Sequence, residues 1–242
     1  MSKFCALVAA AGSGTRANLS YPKTLFHIHG KPILIRIIDL ISPYDQCPTI
    51  IVSPSGKAAV QECLNESEVN AYLVEQIYPR GMGDAVLHFA QSPAFRNAEH
   101  VLLVWGDVPF IQSKTLAKMV KAHFQHNNDF TFVTRHVDSA YTRVSRDSLG
   151  NVIGVVETRE QETLAPQAGE RDIGLFIFRK SLVLNLLKEE LSSKWGKFTG
   201  EHGFLYVIEH LVARGFCVEA MPIALEMEII SLNTLKDIES YI

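Results

Sequence analysis

Nothing in the 242-residue chain approaches the roughly 18 consecutive apolar residues needed to cross a bilayer. No membrane partner is expected. Charge of one sign is equally scarce: 23 Lys and Arg stand against 26 Asp and Glu, a net charge of -3. That is too little to hold a polyanion, which excludes nucleic acid as the main partner. Only four cysteines are present (Cys5, Cys47, Cys63, Cys217), far apart and with no CxxC pair. A zinc ribbon is thereby excluded, and reduced thiols in a cytoplasmic protein are expected. Hexapeptide periodicity of the β-helix kind is missing, and so are GxSxG and HExxH. Lys3 followed by FCALVAAAG has the outline of a leader peptide, but cleavage near Ala11 would remove the first apolar run. A buried first strand is the stronger reading. Apolar residues at 47% and charged residues at 20% are ordinary for a globular chain, and residues 1–242 are read as one domain with a real core.

Apolar runs alternate with helix-like stretches through the first half, the pattern of βα units feeding a mostly parallel sheet. Strands are expected over 4–9, 49–53, 71–75 and 101–105. PILIRIIDLI sets Ile33, Ile37, Leu40 and Ile41 on one helical face behind Pro32. GDAVLHFAQ and SKTLAKMVKAHF read as two further helices. After about residue 130 strand-like runs dominate (FTFVTRHV, TRVSR, NVIGVVE, DIGLFIF), read as added strands and an acceptor-binding lobe. ETREQETLAPQAGERD reads as a polar loop. KSLVLNLLKEEL and FLYVIEHLVARG read as helices, the second closed by Gly215. The nucleotide-binding half is placed at about 1–112 and the acceptor-binding half at about 113–242. The fold class is α/β: a Rossmann-like mixed, mostly parallel sheet flanked by helices.

Chemistry concentrates in four places. In LVAAAGSGTRANLSYPKTLFHIHGKPIL a buried strand ends in Gly12, Ser13, Gly14, Thr15 and Arg16, where glycines let backbone N–H groups approach an anion. The third Gly of GxGxxG is missing, and so is the GK[ST] of a P-loop, which leaves a nicotinamide oxidoreductase a poor third choice. What remains is a Gly loop with two cations, Arg16 as a fork and Lys23 as a point charge, suited to a triphosphate. In EQIYPRGMGDAV, Gln76 precedes Gly81 by five residues, and a carboxamide offers the donor and acceptor that a pyrimidine edge requires. HVLLVWGDVPFI carries Asp107 to the carboxyl end of a strand, where open α/β sheets bind ligands. In EMEIISLNTLKDIESYI, Asn233 precedes an amphipathic terminal helix and by itself reads as its N-cap. His27, His29, His123 and His126 find no third ligand at metal spacing and read as surface histidines.

Ala10, Ala11, Gly12, Gly14, Thr15 and Arg16, then Pro22, Lys23 and Leu25, then Gly30, Lys31 and Pro32, reproduce an AAGxGTR, PKxL, GKP series. In this the chain resembles the sugar-phosphate nucleotidyltransferases, in particular the uridylyltransferase domain acting on N-acetylglucosamine 1-phosphate, without its acetyltransferase β-helix. The resemblance runs to Asn233 and implies a nucleotide-diphospho-sugar transferase fold and transfer from UTP to a sugar 1-phosphate. It implies nucleotide contacts at Ala10, Ala11, Gly12, Gly14, Thr15, Gln76, Gly81 and Met82, and catalytic roles for Arg16, Lys23 and Asp107. Mg²⁺ is the implied cofactor, held by Asp107 and Asn233. AYTRVSRDSLGNVIGVVE parallels the family's YGRI and GIVE strands and puts Glu157 at the sugar, together with Thr142, Asp172 and Gly174.

Three positions depart from the pattern. Thr142 replaces the Gly of YGR, Asp172 replaces the Asn of NTG, and EHGFLYVIEHL lacks the YLTD signature. All three lie on the acceptor side, where an ionised Asp172 and the bulk of Thr142 are expected to disfavour an N-acetylated sugar. A cytidylyltransferase, a different phosphorylated acceptor, or a nucleotide-sugar binding protein without catalysis are the competing readings.

Overall fold

The computed structural model describes residues 4–12, 17–160 and 167–239. Its centre is a seven-stranded sheet ordered β11-β7-β10-β6-β1-β4-β5. Strand β1 (Phe4–Ala9) lies between β4 (Thr49–Val52) and β6 (His100–Trp105), parallel to both, and β5 (Tyr72–Glu75) extends the parallel side beyond β4. The inner strands β1, β4 and β6 are short, mostly apolar runs covered on both faces, as parallel strands require, while β5 at the edge is partly exposed. Helices α1 (Ile33–Ile41), α2 (Lys57–Glu66) and α4 (Ser113–Gln125) pack on the face holding Ala6, Val8, Leu102 and Val104. On the other face α3 (Met82–His88), α5 (Lys180–Lys188) and α6 (Val207–Ala213) cover Leu7, Val101 and Leu103.

Mixed character enters with β10 (Gln167–Arg179), antiparallel to both β6 and β7 (Phe130–Ala140), while β11 (Val218–Met221) returns parallel to β7. The far ends of β7 and β10, with the hairpin β8 (Thr142–Arg146) and β9 (Val152–Glu157), build the second lobe. Between Asp172 and Phe176 the β10–β7 register shifts, and Gly174 sits in the bulge at φ +75°. A Cβ at Gly174 would lie 2.9 Å from the Trp105 ring, so the bulge tolerates only glycine. The small hairpin β2 (His27–Ile28) and β3 (Lys31–Pro32) turns through His29 and Gly30, both at positive φ.

Several sequence expectations need correction. The polar loop before DIGLFIF is already strand from Gln167, because Glu170 is drawn in to pair with Arg146 and Thr134. Strand β11 was not foreseen, its four residues being too few to show a period. Helix α6 begins at Val207, three residues into the expected segment, and ends as expected, with Gly215 N–H on Val212 O and Phe216 N–H on Leu211 O. No amphipathic helix follows Asn233 among the described residues: a single turn at Leu235–Asp237 takes its place, capped by Thr234. His123 is not a surface residue. It is fully buried, its Nε2 bonded to His100 Nδ1 at 2.9 Å and its Nδ1 to Thr131 Oγ1 at 2.9 Å. Burial pushes its pKa down to about 3.

Candidate active site

At the carboxyl ends of β1 and β6 a cavity of about 810 Å³ opens. Gly106 N–H donates to Ala9 O at 2.9 Å, and a Cβ at Gly106 would meet that oxygen at 2.8 Å, so the two strand ends touch through glycine. Asp107 follows immediately. Its Oδ2 is paired with Lys23 Nζ, which also donates to Leu232 O at 3.3 Å. Lys23 arrives on a tight turn (Lys23–Leu25) set by Pro22, and crosses so close to Gly12 that a Cβ there would lie 2.9 Å from its Cε.

The other oxygen, Asp107 Oδ1, is buried without a hydrogen-bond partner. Leu232 N–H donates to Asp107 O at 2.9 Å, which places the next residue, Asn233, on the same wall of the cavity. Asn233 Nδ2 is taken up by Ser231 Oγ at 2.9 Å, and Oδ1 is the end of the amide outside that bond. An orphaned carboxylate oxygen and an amide oxygen on one cavity are hard donors of the kind that fit Mg²⁺. Among the described residues no cluster of three or more His, Cys, Asp or Glu is disposed to hold a metal, so most of its oxygens would come from substrate and water.

Across the cavity, Gln76 is buried at the end of β5. Its Nε2 donates to Gly81 O at 3.1 Å and to Asp84 Oδ2 at 2.8 Å, which directs the pair of donors away from any ligand and leaves Oε1 outside these bonds. Gly81 starts α3 at φ +106°, and a Cβ there would fall 2.5 Å from His202 O. The same carbonyl accepts Gly83 N–H at 3.0 Å, and His202 N–H donates to Arg80 O at 2.6 Å. Thus the start of α3 is clasped by the 201–203 loop.

On the second lobe, Thr142, Glu157 and Asp172 reach the cavity with Tyr141, Arg159, Arg171 and Glu201. Thr142 and Asp172 prove to be bonded to each other, Thr142 Oγ1 donating to Asp172 Oδ1 while Gly174 N–H holds Oδ2 at 3.0 Å. Burial holds the Asp172 carboxyl above the ordinary range, against the opposing pull of the Thr142 hydroxyl and Arg171. The expected freely ionised acid is therefore corrected to a shielded one. Glu157 is likewise raised by burial, against the pull of Arg159, which bonds it at 2.9 Å and Glu201 at 3.0 Å.

The structure thus brings Ala10, Ala11, Gly12, Lys23, Gln76, Gly81, Met82, Asp107, Thr142, Glu157, Asp172 and Asn233 onto one cavity. Gly14, Thr15 and Arg16 lie outside the described residues. Gly174 is corrected from a contact residue to a support, since it is not on the cavity wall and acts through Asp172. Asp84, Arg171 and the His202 backbone escaped the sequence reading. An acid in the first turn of α3 signals Asp84, but nothing local announces the other two.

An open α/β sheet with a carboxylate at a strand end and a cavity at the carboxyl ends of its strands is the arrangement in which such folds bind ligands. Residues 6–194 match the MobA-like NTP transferase domain, and the chain belongs to that family. Among curated relatives it is 28% identical over 232 residues to the bifunctional protein GlmU of Carboxydothermus hydrogenoformans, spanning 94% of this chain and 49% of that protein. It is 28% identical over 236 residues to GlmU of Heliobacterium modesticaldum (97% and 50%), and 30% identical over 251 residues to GlmU of Koribacter versatilis (98% and 50%). The chain spans about half the length of these relatives.

Proposed function

We propose that the protein transfers a nucleotidyl group from a pyrimidine nucleoside triphosphate, UTP foremost, to a sugar 1-phosphate and releases pyrophosphate. The observation that carries this reading is the meeting of Lys23, the unpartnered Asp107 Oδ1 and Asn233 on one cavity, which Gln76 and Gly81 and also Thr142, Glu157 and Asp172 line. Residues 1–242 are taken as one working domain, with Asn233 of the second half returning to the end of β6.

An acceptor phosphate oxygen attacks the α-phosphorus, and the bond to the β-phosphate bridging oxygen breaks, its electron pair leaving with pyrophosphate. A phosphate monoester with its second pKa near about 6 is largely ionised at neutral pH, so no protein base is required. Catalysis then rests on positioning and on neutralising charge. Asp107 and Asn233 would hold Mg²⁺, which neutralises phosphate oxygens when bound. Lys23 supplies a fixed ammonium beside Asp107, and Arg16 is assigned to the β and γ phosphates. Gln76, its Nε2 committed to Gly81 and Asp84, offers Oε1 as an acceptor. Uracil and thymine present an N3–H to such an acceptor, whereas cytosine has a lone pair at N3 and meets an acceptor only through its exocyclic amino group, so UTP is preferred here to the cytidylyl alternative.

The test is a pyrophosphate-release screen of UTP, dTTP, CTP and GTP against a panel of sugar phosphates with added Mg²⁺. Turnover is expected with UTP or dTTP and not with GTP. Asp107→Ala is expected to abolish it while the folded protein persists. Equal use of GTP, or activity of Asp107→Ala within about tenfold of the wild type, would refute the site assignment.

A further inference from the structure

On the acceptor wall almost every charge is matched. Arg159 bonds Glu157 and Glu201, and the two oxygens of Asp172 are held by Thr142 and Gly174. Arg171 is the exception. Its guanidinium lies over the Tyr141 ring, 5.3 Å from the centroid, and among the described residues it makes no hydrogen bond or ion pair. Both residues line the cavity, and Tyr141 is 59% exposed. An aromatic face restrains a guanidinium while leaving its five N–H donors in the ring plane unspent.

A second observation points the same way. Across the β10–β7 ladder Arg171 is directly opposite Arg135, whose Nη1 donates to Ala224 O at 2.9 Å. Like charges directly opposite in a sheet repel, and no described acid forms an ion pair with either. A bound anion would relieve that repulsion.

We propose that Arg171 receives a second anionic group of the acceptor, so that the preferred sugar 1-phosphate carries a carboxylate or another phosphate besides the phosphate that attacks. This rests on reading the wall as the acceptor site and adds the charge class of its ligand. It also gives a reason for the shielding of Asp172: a neighbouring free carboxylate would repel such a ligand.

The test is calorimetric binding of three ligands sharing one ring, in glucose and galactose series, to the protein with Mg²⁺ and α,β-methylene UTP. The ligands are the hexose 1-phosphate, the corresponding uronic acid 1-phosphate and the hexose 1,6-bisphosphate. At least one of the two ligands with a second anionic group is expected to bind tenfold or more tighter than the plain hexose 1-phosphate of its series. Arg171→Gln is expected to erase that tenfold gain while changing the affinity for the plain hexose 1-phosphate far less, and Arg171→Lys to keep part of the gain. The carboxylate and bisphosphate arms then show which anion is meant. Equal affinity within each series, equal weakening of every ligand by Arg171→Gln, or no binding by any ligand overturns the proposal. Pyrophosphate release with the same set separates the two readings: turnover without a charge preference leaves the transferase standing and removes the role of Arg171.

Discussion

At the scale of single residues, the acceptor wall shows that two departures from the family pattern are one feature. Thr142 and Asp172 lie thirty positions apart in the chain and share a hydrogen bond in a buried setting. Substituting Thr142 by Val removes the hydroxyl from a buried carboxyl and is expected to cost about 1 to 3 kcal/mol in urea denaturation. In an Asp172→Leu background the same substitution should cost much less, giving a positive coupling in a double-mutant cycle. Additive effects would show that the bond carries no weight. The pairing also means that improved use of N-acetylglucosamine 1-phosphate is expected from Asp172→Asn together with Thr142→Gly rather than from either alone. Gln76 teaches a related lesson: its amide nitrogen anchors α3, so Gln76→Glu disturbs the helix start as well as any base contact.

At the scale of elements, the contact between the start of α3 and the 201–203 loop shapes the end of the cavity that is proposed to take the base. A Cβ on Gly83 would stand 2.0 Å from Gly203 O, a backbone atom that has no side-chain freedom with which to retreat. Gly83→Ala is therefore expected to destabilise by about 1 to 3 kcal/mol or more and to raise the KM for UTP. Gly200→Ala makes the control. Its φ is +66° with open space around it, so its cost should be limited to about 1 to 2 kcal/mol of backbone strain, with little change in KM. Denaturation curves and UTP saturation kinetics on both variants check this; an unchanged KM for Gly83→Ala would detach the clasp from nucleotide binding.

At the scale of the whole molecule, the cavity lies at the carboxyl ends of β1 and β6, while a chain of polar groups runs at the opposite end of β6. His100 bonds His123, which bonds Thr131; Asn128 joins Thr131 to Glu219, and Glu219 also meets His126. Facing the histidine pair, Arg179 disfavours its protonation, while Glu99 and Asp129 act on His100 in the opposite sense. Because the His123 pKa falls from 6.5 to about 3 on folding, the unfolded chain binds the extra proton first as pH drops. The neutral histidine's contribution is intact above about pH 6.5 and is lost progressively below it, amounting to about 2 kcal/mol by pH 5. Urea denaturation at pH 7 and pH 5 should show this loss, and His123→Gln should flatten it even if that variant is less stable at pH 7. An equal pH slope in both proteins would remove His123 as the cause.

Local pattern was enough for the strands β1, β4, β5 and β6 and for α1 and α3 between them, because a buried strand is mostly apolar and a helix face repeats with its own period. Helix α2 was missed, since only Val60 and Leu64 of its ten residues are buried and so thin an apolar face does not show the period. The close of α6 was legible too, since a left-handed cap selects glycine at Gly215 from chain geometry alone. The glycine loop, Lys23, Gln76 and Asp107 were likewise marked as candidates by residue type and spacing, whereas Asn233 by itself read as a helix cap and became a metal candidate only through the family resemblance. What the sequence did not show depends on partners distant in the chain. The early start of β10 needs Arg146 and Thr134 to hold Glu170, and the burial of His123 needs His100 on β6 and Thr131 on β7. The shielding of Asp172 needs Thr142 and the Gly174 bulge, and the unmatched charge of Arg171 appears only when every neighbouring acid is seen to be engaged. Apolar periodicity follows from the backbone's own geometry, whereas a polar group's state is set by what solvent it loses and which partner it gains, and only the tertiary fold decides both.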